Sequence, residues 1–94
     1  MNIVIVGTGY VGLVTGVGFA EQGHNVSFID LDSKKINRLA SKELPFFEPG
    51  LDEYFSKDDN FNRMSFHENY HDSENHFDLN VQVEIFHQFS KGFY

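Results

Sequence analysis

Gly7, Gly9 and Gly12 stand in the string Gly7-Thr8-Gly9-Tyr10-Val11-Gly12, a G-x-G-x-x-G spacing. Glycines so placed suit a diphosphate when the string joins a strand to a helix. The first permits a tight turn, the second lets the backbone approach a pyrophosphate, and the third lets helix and strand pack closely. The helix that follows offers unpaired N–H groups and a partial positive charge to the phosphates. A carboxylate about 20 residues further on completes such a site by accepting hydrogen bonds from ribose hydroxyls. Asp30 lies eighteen residues after Gly12. Its charge repels a 2′-phosphate, which favours NAD over NADP.

A second string has the spacing of a metal site. His67-Glu68-Asn69-Tyr70-His71 reads H-E-x-x-H. On a helix, that spacing sets two imidazoles one turn apart to hold zinc, with the glutamate as general base. His76, Asp72 or Glu74 would be the third ligand, and His87 adds a fourth histidine to this half. The flanks carry no amphipathic pattern, and at the end of a strand positions i and i+4 do not share a side reliably. The expectation is a polar, histidine-rich connection without a metal.

The elements around the glycines are well marked. Asn2–Val6 is a short β-branched run, as in a buried strand. Residues 10–22 have helical spacing, with Gly12, Gly16 and Ala20 forming a small-residue face, and Gly23 suits the position just past the helix end. Asn25–Ile29 is a second strand. Asp32 or Ser33 caps a second helix with Ile36, Leu39 and Ala40 as its apolar stripe, and Pro45 ends it. Glu48-Pro49-Gly50 predicts a type II turn, followed by a short helix over residues 51–55. Residues 63–66 are a candidate third strand. Residues 79–85 alternate apolar and polar positions, as a half-exposed fourth strand does. The fold class is α/β: a partial Rossmann-like parallel sheet, β-α-β-α-β plus that fourth strand.

Composition divides the chain into unlike halves. Residues 1–50 carry four basic and five acidic groups, whereas residues 51–94 carry three and nine. The net charge of −7 excludes nucleic-acid backbone binding as the main role. From Asp52 to Asp78 there is no Leu, Ile, Val or Ala, and such a segment is expected to bury little surface. The 94 residues are read as one truncated domain, with 1–55 a well-formed βαβα unit and 56–94 an atypical polar tail. Cysteine is absent, which removes disulfides, thiolate zinc sites and a cysteine nucleophile. The N-terminal apolar run lacks a basic leader and is broken by Gly7, so neither a signal peptide nor a membrane span is expected and the setting is taken as cytoplasmic.

With these segments placed, the chain resembles the N-terminus of the UDP-glucose/GDP-mannose 6-dehydrogenase family. The resemblance rests on the string from Gly7 to Gly16, on Gly23-His24-Asn25-Val26, on Asp30-Leu31-Asp32 with Lys35 and Ile36, and on Pro45 with Glu48-Pro49-Gly50-Leu51. It covers residues 1–55 closely and continues to about residue 70. It implies NAD contacts from Gly7, Thr8, Gly9, Tyr10, Val11 and Gly12, from Asp30, and from Lys35. The family oxidises a sugar C6 alcohol to a carboxylate in two NAD-dependent steps through a thiol-bound intermediate. Its cysteine, helper lysine and sugar-nucleotide pocket have no counterpart in these residues, so no catalytic residue is assigned. The family's fourth strand ends in Gly-Thr-Pro; here residues 79–86 carry Asn80, Gln82 and Glu84, and no Gly-Thr-Pro follows.

The reading is therefore the NAD-binding portion of a UDP-glucose 6-dehydrogenase-like oxidoreductase of nucleotide-sugar metabolism and polysaccharide biosynthesis, inactive by itself. A UDP-sugar is expected as partner only in a full-length context. A non-catalytic nucleotide-binding remnant or interaction module shares the same site. A different Rossmann dehydrogenase is disfavoured by Glu48-Pro49-Gly50-Leu51. If residues 79–85 fail to flank the first strand, that strand becomes an open apolar edge and invites self-association.

Overall fold

A computed structural model describes residues 1–46, 48–69 and 77–82 of the chain. The element order is β1 (Asn2–Val6), α1 (Tyr10–Glu21), β2 (Asn25–Ile29), α2 (Ser33–Ala40), α3 (Leu51–Ser56), α4 (Asp58–Asn62), β3 (Met64–His67) and β4 (Leu79–Gln82). The strands form one sheet in the order β3-β2-β1-β4. All three pairings are parallel, with Val6 opposite Ile29, Ile29 opposite His67 and Ile3 opposite Leu79. This is the 3-2-1-4 half of a doubly wound sheet.

β1 lies inside the sheet, which explains its unbroken apolar sequence: Ile3, Val4 and Ile5 are fully buried. Alternate residues serve two faces. Ile3 and Ile5 join Val26 and Phe28 beneath Leu13, Val17 and Ala20 of α1, with Leu39, Leu51 and Phe55 beside them. Val4, Val6 and Ile29 form the opposite face, where Phe77 packs. Helices over one face are what right-handed β-α-β crossovers produce. β4 flanks β1, so the open edge feared for β1 does not exist. Asn2 and Asp78 fasten the start of this pairing: the Asn2 N–H donates to Asp78 Oδ2 at 2.8 Å, and the Asp78 N–H donates to the Asn2 carbonyl at 2.7 Å.

Several expectations shift. The first helix ends at Glu21, with Gln22 as its C-cap. α2 takes Asp32 as its N-cap, whose Oδ1 accepts from the N–H groups of Lys34 and Lys35. Ile36 and Leu39 are buried as the stripe requires, but Ala40 is exposed. Pro45 does not end this helix: Lys42 already stands in the left-handed region at φ 65° and its N–H bonds the Leu39 carbonyl. The type II turn forms, with the Leu51 N–H on the Glu48 carbonyl at 3.1 Å and Gly50 at φ 89°. The third strand begins one residue late, because Arg63 caps α4.

The larger correction concerns residues 52–67, which bury more than their lack of aliphatic residues suggested. Phe55 is fully buried and Met64 nearly so. Phe55 meets Phe61 edge-on at 5.7 Å, and Phe66 stacks on Phe28 at 5.3 Å. Aromatic rings supply here the area that aliphatics supply in the first half. Asn60 is buried with every polar atom satisfied: its amide N–H groups donate to Glu21 Oε2 and to the Tyr54 carbonyl, and its oxygen accepts from Arg63. Arg63 also donates to the Ala20 carbonyl at 3.2 Å. This polar knot ties α3 and α4 to the end of α1.

Candidate functional site

Two strand ends build the site. β1 delivers Gly7 and β2 delivers Asp30 at the carboxyl edge of the sheet, because Val6 and Ile29 are register partners. The Gly7 N–H continues that ladder onto the Ile29 carbonyl at 2.7 Å, and the Asp30 N–H bonds the His67 carbonyl at 3.1 Å. Ligands of open α/β sheets bind at this edge, where the strand order reverses.

The loop is held in shape by contacts that depend on missing side chains. Gly7 has φ 103°, a conformation that other residues rarely adopt. Gly12 lies so close beneath it that a Cβ there would stand 2.1 Å from the Gly7 carbonyl oxygen. Gly9 differs: as N-cap of α1 it has extended backbone, and a Cβ built on it meets nothing within 4 Å. No side chain caps the first-turn N–H groups at this helix end. The sequence thus keeps glycine at position 9 where the protein itself offers no steric reason for it.

Asp30 is the most constrained acidic side chain near the loop. Its Oδ2 accepts from the Thr8 hydroxyl at 2.6 Å and from the Thr8 N–H at 2.9 Å, and its Oδ1 accepts from the Asp32 N–H at 2.9 Å. Lys35 Nζ lies 3.8 Å from Oδ2. Burial works against the charge, but the Thr8 hydroxyl, the two backbone N–H groups and the Lys35 ammonium outweigh it. The carboxyl is held below its ordinary value of 3.8. At neutral pH the group is an ionised hydrogen-bond acceptor at the carboxyl edge of the sheet.

The remaining expected residues fall around these two. Tyr10 and Val11 are about half exposed on the first turn of α1. The Tyr10 ring stacks on Phe46 at 5.3 Å, a partner the motif does not reveal. Thr8 is buried, which its place between two glycines gave no sign of. A groove of about 420 Å³ lies between α1, lined from Tyr10 and Val14 to Glu21, and the turn and helix that carry Pro49, Leu51 and Tyr54. It excludes Asp30 and the three glycines of the motif.

The zinc pattern is not assembled on a helix. His67 ends β3, and its Nε2 shares a hydrogen bond with Ser65 Oγ at 2.9 Å. Glu68 follows in a bend, and His71, Asp72, Glu74 and His76 lie outside the described residues. Among the described residues no three His, Cys, Asp or Glu side chains gather as a metal site would need. No helix among them is long and apolar enough to cross a membrane.

A parallel 3-2-1-4 sheet with a glycine loop at β1 and an acid at the end of β2 defines a Rossmann-type dinucleotide-binding domain. Residues 1–83 match the model of the UDP-glucose/GDP-mannose dehydrogenase family, NAD binding domain. The chain belongs to that family and supplies its N-terminal NAD-binding portion. It is 49% identical over 70 residues to UDP-glucose 6-dehydrogenase YwqF of Bacillus subtilis, covering 74% of this chain and 16% of that relative. Among solved structures it superposes on the GDP-mannose dehydrogenase of Pseudomonas aeruginosa with a TM-score of 0.77 at 29% identity, covering 87% of this chain and 19% of the other. A UDP-glucose dehydrogenase from Pyrobaculum islandicum gives 0.66 at 37% identity, with 72% and 16% covered. The chain therefore spans less than a fifth of the length of these relatives.

Proposed function

We propose that these residues hold NAD in the glycine loop, with Gly7, Thr8, Gly9, Tyr10, Val11 and Gly12 forming the cradle, Asp30 receiving the adenosine ribose and Lys35 beside it. The observation that carries this reading is Gly9. A Cβ there would meet nothing within 4 Å, the helix end that Gly9 begins has no side-chain cap, and the adjoining Thr8 is bonded to the ionised Asp30 carboxylate, so one loop carries both an anion site and a hydroxyl acceptor. A diphosphate joined to a ribose has the charge and hydroxyls to fill both.

The oxidation of a nucleotide-sugar C6 alcohol belongs, in this reading, to the full-length context of the relatives. These 94 residues contain no cysteine, so the thiol that the family resemblance implies must come from elsewhere. The domain is truncated in this sense: it brings the cofactor and neither the nucleophile nor the sugar pocket. A UDP-sugar is a partner only there, and a cytoplasmic setting with a role in polysaccharide biosynthesis is part of the same proposal. We place any self-association at an edge strand of the described sheet, β3 or β4, since β1 is flanked on both sides.

Replacing Gly9 with Ala separates site from fold. The added Cβ meets no protein atom, and weaker capping at this position lowers Tm by no more than about 4–8 °C. NAD affinity, measured by equilibrium dialysis, is expected to fall by about tenfold or more as the phosphates lose their approach to the backbone. An unchanged affinity would refute the cradle. In the unmutated chain, NADH formation from NAD and UDP-glucose is expected to be absent; steady turnover would refute the division of labour.

A further inference from the structure

Thr8 stands in the motif at a position where the spacing asks for no particular residue, yet it is 1% exposed and makes two bonds to one carboxylate oxygen. We propose that the Thr8 side chain is a positioning group: it fixes the Asp30 carboxylate in the orientation that accepts an unphosphorylated ribose, and so sets the preference for NAD over NADP, while only the Thr8 backbone belongs to the cradle. This rests on the NAD reading above and assigns a specificity role within that site.

The acceptor count supports it. An ionised carboxylate offers about four lone-pair positions. Thr8 takes two on Oδ2 and the Asp32 N–H takes one on Oδ1. One position on Oδ1 is left to receive a ribose hydroxyl. The Thr8 hydroxyl has a single proton, and Asp30 holds it at 2.6 Å, within the range of strong charge-assisted bonds. Its buried side chain leaves no surface for a ligand. Without that bond the carboxylate can rotate about its own torsions, and both its aim at the ribose and its opposition to a 2′-phosphate weaken. The same bond helps keep the carboxyl ionised, so its loss also moves the Asp30 titration upward.

The test is a cycle of Thr8→Val, Asp30→Ala and the double variant in the full chain, with Thr8→Ser as the conservative partner. NAD and NADP affinities are read by calorimetry, folding by thermal melts, and the Asp30 carboxyl by NMR titration. Valine keeps the shape and the N–H while removing the hydroxyl. We expect Thr8→Val to weaken NAD about tenfold, the scale of one hydrogen bond to a charged group. The NAD-to-NADP ratio should narrow by a similar factor, the Asp30 titration should rise, and Thr8→Ser should restore all three. In the Asp30→Ala background the valine should have no further effect, because a residue acting through another is silent when that other is gone. Additive losses would mean that Thr8 meets the cofactor directly and would overturn the proposal. An unchanged ratio and titration in a folded Thr8→Val protein would do the same. A wild-type chain that binds no NAD refutes the cofactor reading, and this inference with it.

Discussion

Gly12→Ala tests whether the loop and the helix are locked together as the backbone geometry requires. The new Cβ would stand 2.1 Å from the Gly7 carbonyl oxygen, 3.2 Å from its carbon and 3.4 Å from Ile5 Cγ2. Ordinary contact begins at 3.4 Å, so loop and helix must part by about 1.3 Å. The obstructing atom is backbone and cannot rotate aside, which puts the cost near the upper end for overpacking, about 3 kcal/mol. For a domain of this size each kcal/mol moves Tm by about 4–8 °C, so a fall of roughly 12–24 °C is expected. A paired variant, Gly18→Ala, places its Cβ in open space on the exposed side of the same helix. It should raise Tm by about 4–8 °C through helix propensity. Differential scanning calorimetry on the three proteins reads both effects. If Gly12→Ala melts with the wild type, the close approach of Gly7 and Gly12 is not what holds the loop.

Two further outcomes follow from the site. The Asp30 carboxyl titrates lower folded than its ordinary value of 3.8, so the folded chain binds fewer protons there than the unfolded chain. Its contribution to stability is complete above 3.8 and is lost as pH falls through the lower folded value. Urea midpoints of wild type and Asp30→Asn should therefore differ at neutral pH and converge in acid; a constant gap across the range would contradict the assignment. Exhaustively dialysed protein should hold less than stoichiometric zinc by metal analysis, since His67 sits in a strand rather than on a helix with His71. One tightly held zinc per chain would reverse that conclusion.

The first half of the fold was legible because its residues state their roles locally. β1 is an apolar, β-branched run after Asn2, β2 is a mostly apolar strand broken only by Ser27 after Asn25, Asp32 stands where a cap belongs, and Glu48-Pro49-Gly50 encodes its turn. The motif placed Gly7, Gly9, Gly12 and Asp30 together for the same reason: strand, turn and helix are contiguous, and the acid ends the neighbouring strand. What stayed hidden depends on tertiary partners. Phe55, Phe61 and Phe66 are far from Phe28 in sequence, and only the fold stacks Phe66 on Phe28 and sets Phe55 and Phe61 against Phe66. Asn60 reads as a surface amide, but Glu21, Tyr54 and Arg63 pair its polar atoms and let it be buried. Ala40 fell off the buried stripe because α2 ends in the turn at Lys42, one residue pair later. Thr8 belongs to the motif, and its hydroxyl and N–H both bond Asp30, which no spacing rule conveys. Of the fourth strand, residues 79–82 pair with β1 at the edge of the described sheet. Residues 83–85 lie outside the described residues.

The central claim is that Gly7, Gly9, Gly12 and Asp30 form one NAD site with a built-in preference for an unphosphorylated ribose. Isothermal titration of the 94-residue chain with NAD, and separately with NADP, measures it directly. One molecule of NAD bound per chain, with NADP bound at least about tenfold more weakly, is the predicted result. Equal affinity for the two, or no heat from NAD at all, would contradict it.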